Sequence, residues 1–269
     1  RVIRQIKAHA MRPKKSLGQN FLKDESVIDR IVAALNISEG ETDVEIGPGR
    51  GALTDRLVST GVNVIAIEID RELVPILRTQ FHFNPNFKIV EADILTCDLE
   101  SIIAGSDPAK TKLIGNLPYY ISTPIIQHLI EYRHLFSRML LMLQREVVER
   151  LTAKPGESER GFITVMVEDA LDAKHLFDVE PRAFFPAPKV WSSVMSLEPK
   201  VSEIIDDKAF RRLVSVGFSQ KRKTIQNNLK TAFPNASELL TASGIEPIRR
   251  AETLTLDEWK KLAGNISRA

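Results

Sequence analysis

The hydrophobic positions of this chain change period repeatedly, and each change marks an element. In "DESVIDRIVAALN" (24–36) apolar residues recur at helical spacing behind an acidic first turn, which predicts a helix. Short apolar runs then alternate with helix-period segments. "DVEIG" (43–47), "NVIAIEI" (63–69), "FKIVEA" (87–92), "TKLIGN" (111–116) and "RMLLMLQ" (138–144) read as buried strands. "ALTDRLVST" (52–60), "RELVPILRTQF" (71–81), "TPIIQHLIEY" (123–132) and "REVVERLTA" (145–153) read as the helices between them. Strands spaced by helices imply right-handed crossovers and a parallel sheet covered on both faces.

Beyond residue 160 the pattern changes. "GFITVMVEDAL" (161–171) suits a strand or a helix, because it is β-branched yet long. "KHLFDVE" (174–180) and "VWSSVMSLE" (190–198) read as strands joined by the Pro-rich "PRAFFPAPK", an antiparallel hairpin closing the sheet. After "LEPK" (197–200) only helical periods remain, in "DDKAFRRLVSVGFSQ", "KTIQNNLKTAF", "ASELLTASG" and "TLDEWKKLAGNI". The expected division is therefore an α/β domain over residues 1–199 and a small helical domain over 200–269.

Composition narrows the class. No apolar run approaches the roughly 20 residues a membrane span needs, and "RVIRQIKAHAMRPKK" lacks the apolar core of a secretory signal. Cys97 is the single cysteine, so an intrachain disulfide is excluded and a reducing, cytoplasmic setting is expected. The histidines (His9, His82, His128, His134, His175) form no metal-like spacing, and no metal is expected. A net charge of +2 hides segregation. Residues 1–23 carry Arg1, Arg4, Lys7, Arg12, Lys14, Lys15 and Lys23 without an acid. Residues 208–237 carry Lys208, Arg211, Arg212, Lys221, Arg222, Lys223 and Lys230, again without one. Clustered cations on an otherwise acidic body suit a polyanionic partner.

The candidate chemistry sits at strand ends. "VEIGPGRGALT" (44–54) places Gly47 and Gly49 between a strand and a helix, where glycine lets the backbone turn tightly and approach a ligand. Glu68 ends the next strand, where an acid can accept from ribose hydroxyls, and Asp93 in "EAD" follows the third, within reach of an adenine amino group. A dehydrogenase would share the ribose acid. It has no use for "NLPYY" (116–120), whose amide, prolyl turn and phenol suit a methyl donor with an amino-purine acceptor. Asn116 offers a side-chain oxygen and Leu117 a carbonyl to the two hydrogens of an exocyclic nitrogen. Pro118 stiffens the turn, and Tyr119 gives the base a face on which to stack. Such a base must be unpaired or flipped out.

These motifs resemble those of the KsgA (RsmA) family of small-subunit rRNA adenine dimethyltransferases, relatives of the Erm methyltransferases. "KKSLGQNFL" (14–22), "EIGPGRGALT", "EID", "EADIL", "NLPYY", "FFPAPKVWSSV", "FSQKRKTIQNNL" and "GIEPIRRAETLTLDEW" follow in the family's order, nearly end to end. The resemblance implies a Rossmann-like class I methyltransferase fold: a mostly parallel seven-stranded sheet with an antiparallel hairpin, plus a C-terminal helical domain. It implies S-adenosylmethionine contacts from Asn20, Leu22, Gly47, Gly49, Glu68, Asp93 and Asn116, and a target base flanked by Tyr119 and Phe184. It further implies dimethylation of two adjacent adenosines near the 3′ end of small-subunit rRNA within an immature subunit; a monomer is expected. Arg211, Arg212, Lys221, Arg222 and Lys223 would then grip phosphates without reading sequence. Two alternatives remain at this level: a DNA adenine methyltransferase, and an assembly or transcription factor with vestigial methylation. Residues 200–269 look short and helical for a duplex-reading region, and the intact set Glu68, Asp93, Asn116 and Tyr119 favours an active enzyme.

Overall fold

In a computed structural model of the protein, residues 13–200 and 207–266 are described. The strands are β1 (Phe21–Leu22), β2 (Thr42–Ile46), β3 (Asn63–Glu68), β4 (Phe87–Glu91), β5 (Thr111–Asn116), β6 (Arg138–Gln144), β7 (Leu171–Val179), β8 (Phe184–Phe185) and β9 (Ser192–Pro199). Seven of them form one sheet in the order β4-β3-β2-β5-β6-β9-β7. Neighbours from β4 to β6 are parallel, and β9 runs antiparallel to β6. The remaining two, β1 and β8, pair antiparallel as a separate ribbon with Phe21 opposite Phe185 and Leu22 opposite Phe184.

The apolar runs become strands at or near their predicted bounds: β5 and β6 match them, β3 and β4 end one residue earlier, β2 and β9 are displaced by one or two residues, and β7 starts three residues earlier, at Leu171. The first helix begins at Glu25 because Asp24 caps it, its Oδ1 accepting from the amides of Ser26 at 3.0 Å and Val27 at 3.3 Å. It stops at Leu35 because Asn36 turns left-handed at φ 51°. The ambiguous stretch 161–171 is a helix, Phe162–Ala170. Ile163, Thr164, Val165, Met166 and Val167 are all buried, with only Phe162 and Glu168 half-buried, so the apolar residues cover most of the helix circumference and mask its period.

The chain forms two compact units, and their boundary differs from a single cut at 199/200. Among the described residues, one unit holds 13–148 and 174–199; the other holds 149–173, 200 and 207–266. Residues 149–173 therefore go with the helical part. There, helix Phe162–Ala170 packs on helices Asp207–Gly217 and Leu256–Ile266, and Lys260 pairs with Asp169 at 3.2 Å. The core of the helical unit is Trp259 with Leu213, Val214, Ile225, Leu240 and Leu262, all essentially inaccessible. In the sheet unit Leu35, Leu57, Val64, Ile114 and Leu140 sit in one cluster. Each such side chain contributes about 1.5–3 kcal/mol on burial.

Strand register positions the site. Ile46 lies opposite both Ile67 and Gly115, Glu68 opposite Glu91, and Asn116 opposite Met142. The carboxyl ends of β2, β3, β4 and β5 thus share one edge, and the direction of winding reverses between β2 and β5. A crevice opens at such a reversal.

Candidate active site

A cavity of about 320 Å³ occupies that crevice. Asn20, Leu22, Gly47, Gly49, Glu68, Asp93 and the turn Asn116–Tyr119 all line it, so ten positions scattered over a hundred residues converge on one space.

The glycine loop leaves β2 with left-handed backbone at Gly47 (φ 64°) and Gly49 (φ 59°). A methyl group added at Gly47 would meet no atom within 4 Å, whereas one at Gly49 would press on the Phe21 ring at 3.0 Å. The first glycine therefore leaves room for a ligand, and the second allows the N-terminal segment to lie close. Glu68 is buried; its Oε2 accepts from the Gly49 amide at 3.2 Å and its Oε1 from the Asp70 amide at 2.9 Å. Burial raises its pKa, and those two amides only partly offset the rise. Asp93 Oδ1 accepts from the Leu95 amide at 2.9 Å, which fixes the carboxylate in the turn after β4.

The Asn116 amide is held in one orientation. Its Nδ2 donates to the Asn20 carbonyl at 3.0 Å, and Asn20 in turn donates its own Nδ2 to the Gly18 carbonyl at 3.2 Å. With Nδ2 engaged, Oδ1 is the atom left to accept from a ligand. The Leu117 amide donates to the Met142 carbonyl at 3.1 Å while its side chain is buried. Ser122 Oγ donates to the Pro118 carbonyl at 3.0 Å and closes the turn. Half-buried Tyr119 is fixed by a 2.7 Å hydrogen bond between its hydroxyl and Ser192 Oγ. Burial raises the phenol pKa, more than the Ser192 bond lowers it, so Tyr119 is neutral at physiological pH.

Several residues at the site were not singled out by the sequence, although Lys14 and Gln19 lie within "KKSLGQNFL". Lys14 Nζ and Gln19 Nε2 donate to the two oxygens of Asp70 at 2.7 and 2.8 Å, and Lys14 also pairs with Glu72 at 3.0 Å. Burial alone would push the Asp70 carboxyl up; the hydrogen bonds from Lys14 and Gln19 outweigh it and hold it below the ordinary range. This clasp pins the segment bearing Asn20 and Leu22 across the cavity. Glu45, on β2 beneath the glycine loop, is buried and accepts from Thr54 Oγ1 at 2.5 Å. Burial pushes its pKa up to about 7, the Thr54 bond opposing and the Glu68 charge adding to the rise. Asp43, fully buried with neither carboxylate oxygen hydrogen-bonded, is pushed well above the usual range by burial and then by Glu45. Only the sequence "EID" hinted at Asp70, and alternation along β2 would have placed Asp43 and Glu45 on the opposite face from Val44.

Phe184 requires a correction. It is 1% exposed and packs in the sheet core with Leu22, Ile31 and Val194, so its ring offers no face to a base. Alternation along β8 sends Phe185 the other way, where it is 53% exposed. In the helical unit, Arg212, Lys221, Arg222 and Lys223 are exposed, and Arg211 is half-buried. Buried Asn228 donates to the carbonyls of Gly217 at 2.6 Å and Gln220 at 3.1 Å, which holds the turn presenting Lys221–Lys223.

A family model described as "Ribosomal RNA adenine dimethylase" matches residues 10–267. The chain belongs to the ribosomal RNA adenine dimethylase family. It is 45% identical to a ribosomal RNA small subunit methyltransferase A from Hahella chejuensis over 94% of this chain and 92% of that protein. The corresponding protein of Geobacter metallireducens is 42% identical over 96% and 97%. Among solved structures, a dimethyladenosine transferase from Plasmodium falciparum superposes with a TM-score of 0.77 at 26% identity, covering 92% of this chain and 98% of that one. The 23S rRNA methyltransferase ErmE superposes at 0.70 and 25% identity, covering 92% and 100%. The adenine dimethylase fold, a mostly parallel sheet with an antiparallel hairpin, is the one described above. The chain is thus a methyltransferase, with S-adenosylmethionine as the family's methyl donor.

Proposed function

We propose that this adenine dimethylase transfers methyl groups to N6 of two adjacent adenosines of small-subunit rRNA, with the Asn116–Tyr119 turn as the reacting-group clamp. The observation that carries the assignment of roles is the Asn116 amide, fixed by its bond to Asn20 and lining a cavity bordered by Glu68 and Asp93. The residues present fit the cofactor. Glu68 can take ribose hydroxyls, since its buried carboxylate gains from further donors. Open space at Gly47 admits the amino-acid end, and Asp93 can accept from an adenine amino group. S-adenosylmethionine supplies an electrophilic methyl carbon on a sulfonium.

The chain's own task is to prepare the nitrogen. The N6 lone pair is delocalised into the purine ring. Asn116 Oδ1 and the Leu117 carbonyl, accepting from the two N6 hydrogens in the first transfer and one of them from the single hydrogen left in the second, return electron density to that nitrogen. Tyr119 holds the base plane by stacking, worth about 1–3 kcal/mol. No strong base is required, because the N6 proton becomes acidic once the methyl is attached, and positioning supplies the rest. The exposed Arg212, Lys221, Arg222 and Lys223 support phosphate contacts by the helical unit, with RNA selected by shape and unpaired bases. An immature small subunit as the substrate particle, a monomeric enzyme and a cytoplasmic setting complete the proposal. Among the described residues no helix is long and apolar enough to cross a membrane.

Asn116→Ala is expected to lower kcat/KM for methyl transfer by roughly 5- to 150-fold, the equivalent of about 1–3 kcal/mol, while subunit binding persists. Undiminished turnover by that variant would remove the amide from the mechanism. Mass spectrometry of rRNA from cells lacking the gene should show two adjacent unmodified adenosines.

A further inference from the structure

Three exposed large rings adjoin residues that line the cavity: Tyr120 at 59%, itself a lining residue, Phe185 at 53% and Trp191 at 43%. None has a role in the chemistry above, and each is tied to residues that do. Tyr120 follows Tyr119 and packs on Gly18, where an added methyl would meet its ring at 3.0 Å. Phe185 lies opposite Phe21 in the β1–β8 ribbon, and the Arg50 guanidinium stands 4.5 Å from the Phe21 ring centre and 5.9 Å from that of Phe185. Phe21 and Arg50 themselves line the cavity. Trp191 immediately precedes Ser192, the residue that fixes the Tyr119 hydroxyl, and its carbonyl accepts from the Arg145 amide at 3.0 Å.

We infer that the rim of Phe185, Trp191 and Tyr120, with Arg50 against it, stacks the unpaired nucleotides that flank the target adenine. The inference rests on the proposed function and specifies how the substrate strand lies. A base drawn into the cavity pulls its neighbours out of their own stacks, and exposed rings beside the opening replace those lost contacts. Charge agrees with a phosphate backbone: from Ala183 to Leu197 the chain carries Lys189 and no carboxylate. Aromatic faces interleaved with cations suit an unpaired strand better than a protein surface. With two adjacent target adenosines, the rim also gives the second one a seat while the first is in the cavity.

Tryptophan emission provides a direct test, because Trp259, the only other tryptophan, is fully buried. A short unpaired oligoribonucleotide carrying two adjacent adenosines should quench the emission of the full-length enzyme, and Trp191→Phe should abolish the quench while keeping affinity. Trp191→Ala and Phe185→Ala should each weaken oligonucleotide binding roughly ten-fold and raise KM for small subunits, with kcat and S-adenosylmethionine affinity unchanged. Wild-type affinity in the double alanine variant, or binding without quenching, would overturn the inference. So would weakened subunit binding with oligonucleotide binding intact, which would make the rim a contact for ribosomal protein. A wild-type chain that binds S-adenosylmethionine yet methylates no rRNA would sink the proposed function itself, a different result.

Discussion

Glu45 and Glu68 stand on neighbouring strands about one cavity, and their surroundings give them different chemistry. Glu68 is held by two amides and keeps acceptor capacity toward the cavity; Glu45 has one hydroxyl and a pKa near 7. Below pH 4.5 both folded and unfolded chains hold the Glu45 proton, and its burial costs little. As pH rises the unfolded chain releases that proton first, so stability falls until the folded pKa is passed. The loss attributable to Glu45 is on the order of 3 kcal/mol between its unfolded and folded pKa values. Glu45→Gln should therefore flatten the fall in stability between about pH 4.5 and 7, read by denaturant midpoints across that range. Asp43 contributes in the same direction and remains in the variant, so some slope should persist. For Tyr119, replacement by Phe removes only the Ser192 bond and should cost a few-fold in kcat/KM, whereas Ala removes the stacking face and should cost roughly ten-fold or more. Asn116, Glu68 and Asp93 were legible because motif and strand end coincide in sequence. Phe184 was not: which of two adjacent phenylalanines faces inward is set by pairing of β8 with β1, a partner 160 residues away.

At the scale of elements, the N-terminal segment is a strap over the cavity. Its β1 residues pair with β8, and Lys14 and Gln19 clasp Asp70 beyond the end of β3. Replacing Lys14 and Gln19 together by alanine should release the strap. We expect an S-adenosylmethionine Kd roughly ten-fold higher with kcat at saturation close to wild type, measured by calorimetry and initial rates. A fall in kcat at unchanged Kd would place the clasp on the methyl-transfer step instead. None of this was readable from periodicity, since a two-residue strand and a side-chain clasp leave no repeat. The long buried strands and their helices were readable, because burial on both faces of a parallel sheet writes continuous apolar runs into the chain. Helix Phe162–Ala170 stayed ambiguous for the same reason: buried over most of its circumference, it has too narrow a polar face to reveal a period.

For the whole molecule, a net charge of +2 hides a local gathering of exposed cations at the turn Lys221–Lys223. Arg222→Ala with Lys223→Ala should weaken small-subunit binding and reduce the slope of log K against log salt by about 0.7–0.9 per charge removed. Cofactor affinity should not change. A salt slope equal to wild type would show that this turn faces away from RNA. What the chain alone determined was the alternation of strands and helices, the glycine loop, the acids at successive strand ends and the Asn-Leu-Pro-Tyr turn. All of these are local patterns, each legible within a dozen residues. Only tertiary structure decided that the strap reaches Asp70, that Phe185 rather than Phe184 faces outward, and that residues 149–173 join the helical unit. Those outcomes depend on pairings between segments remote in sequence, where the energy of burying one face against another, not local propensity, selects the partner.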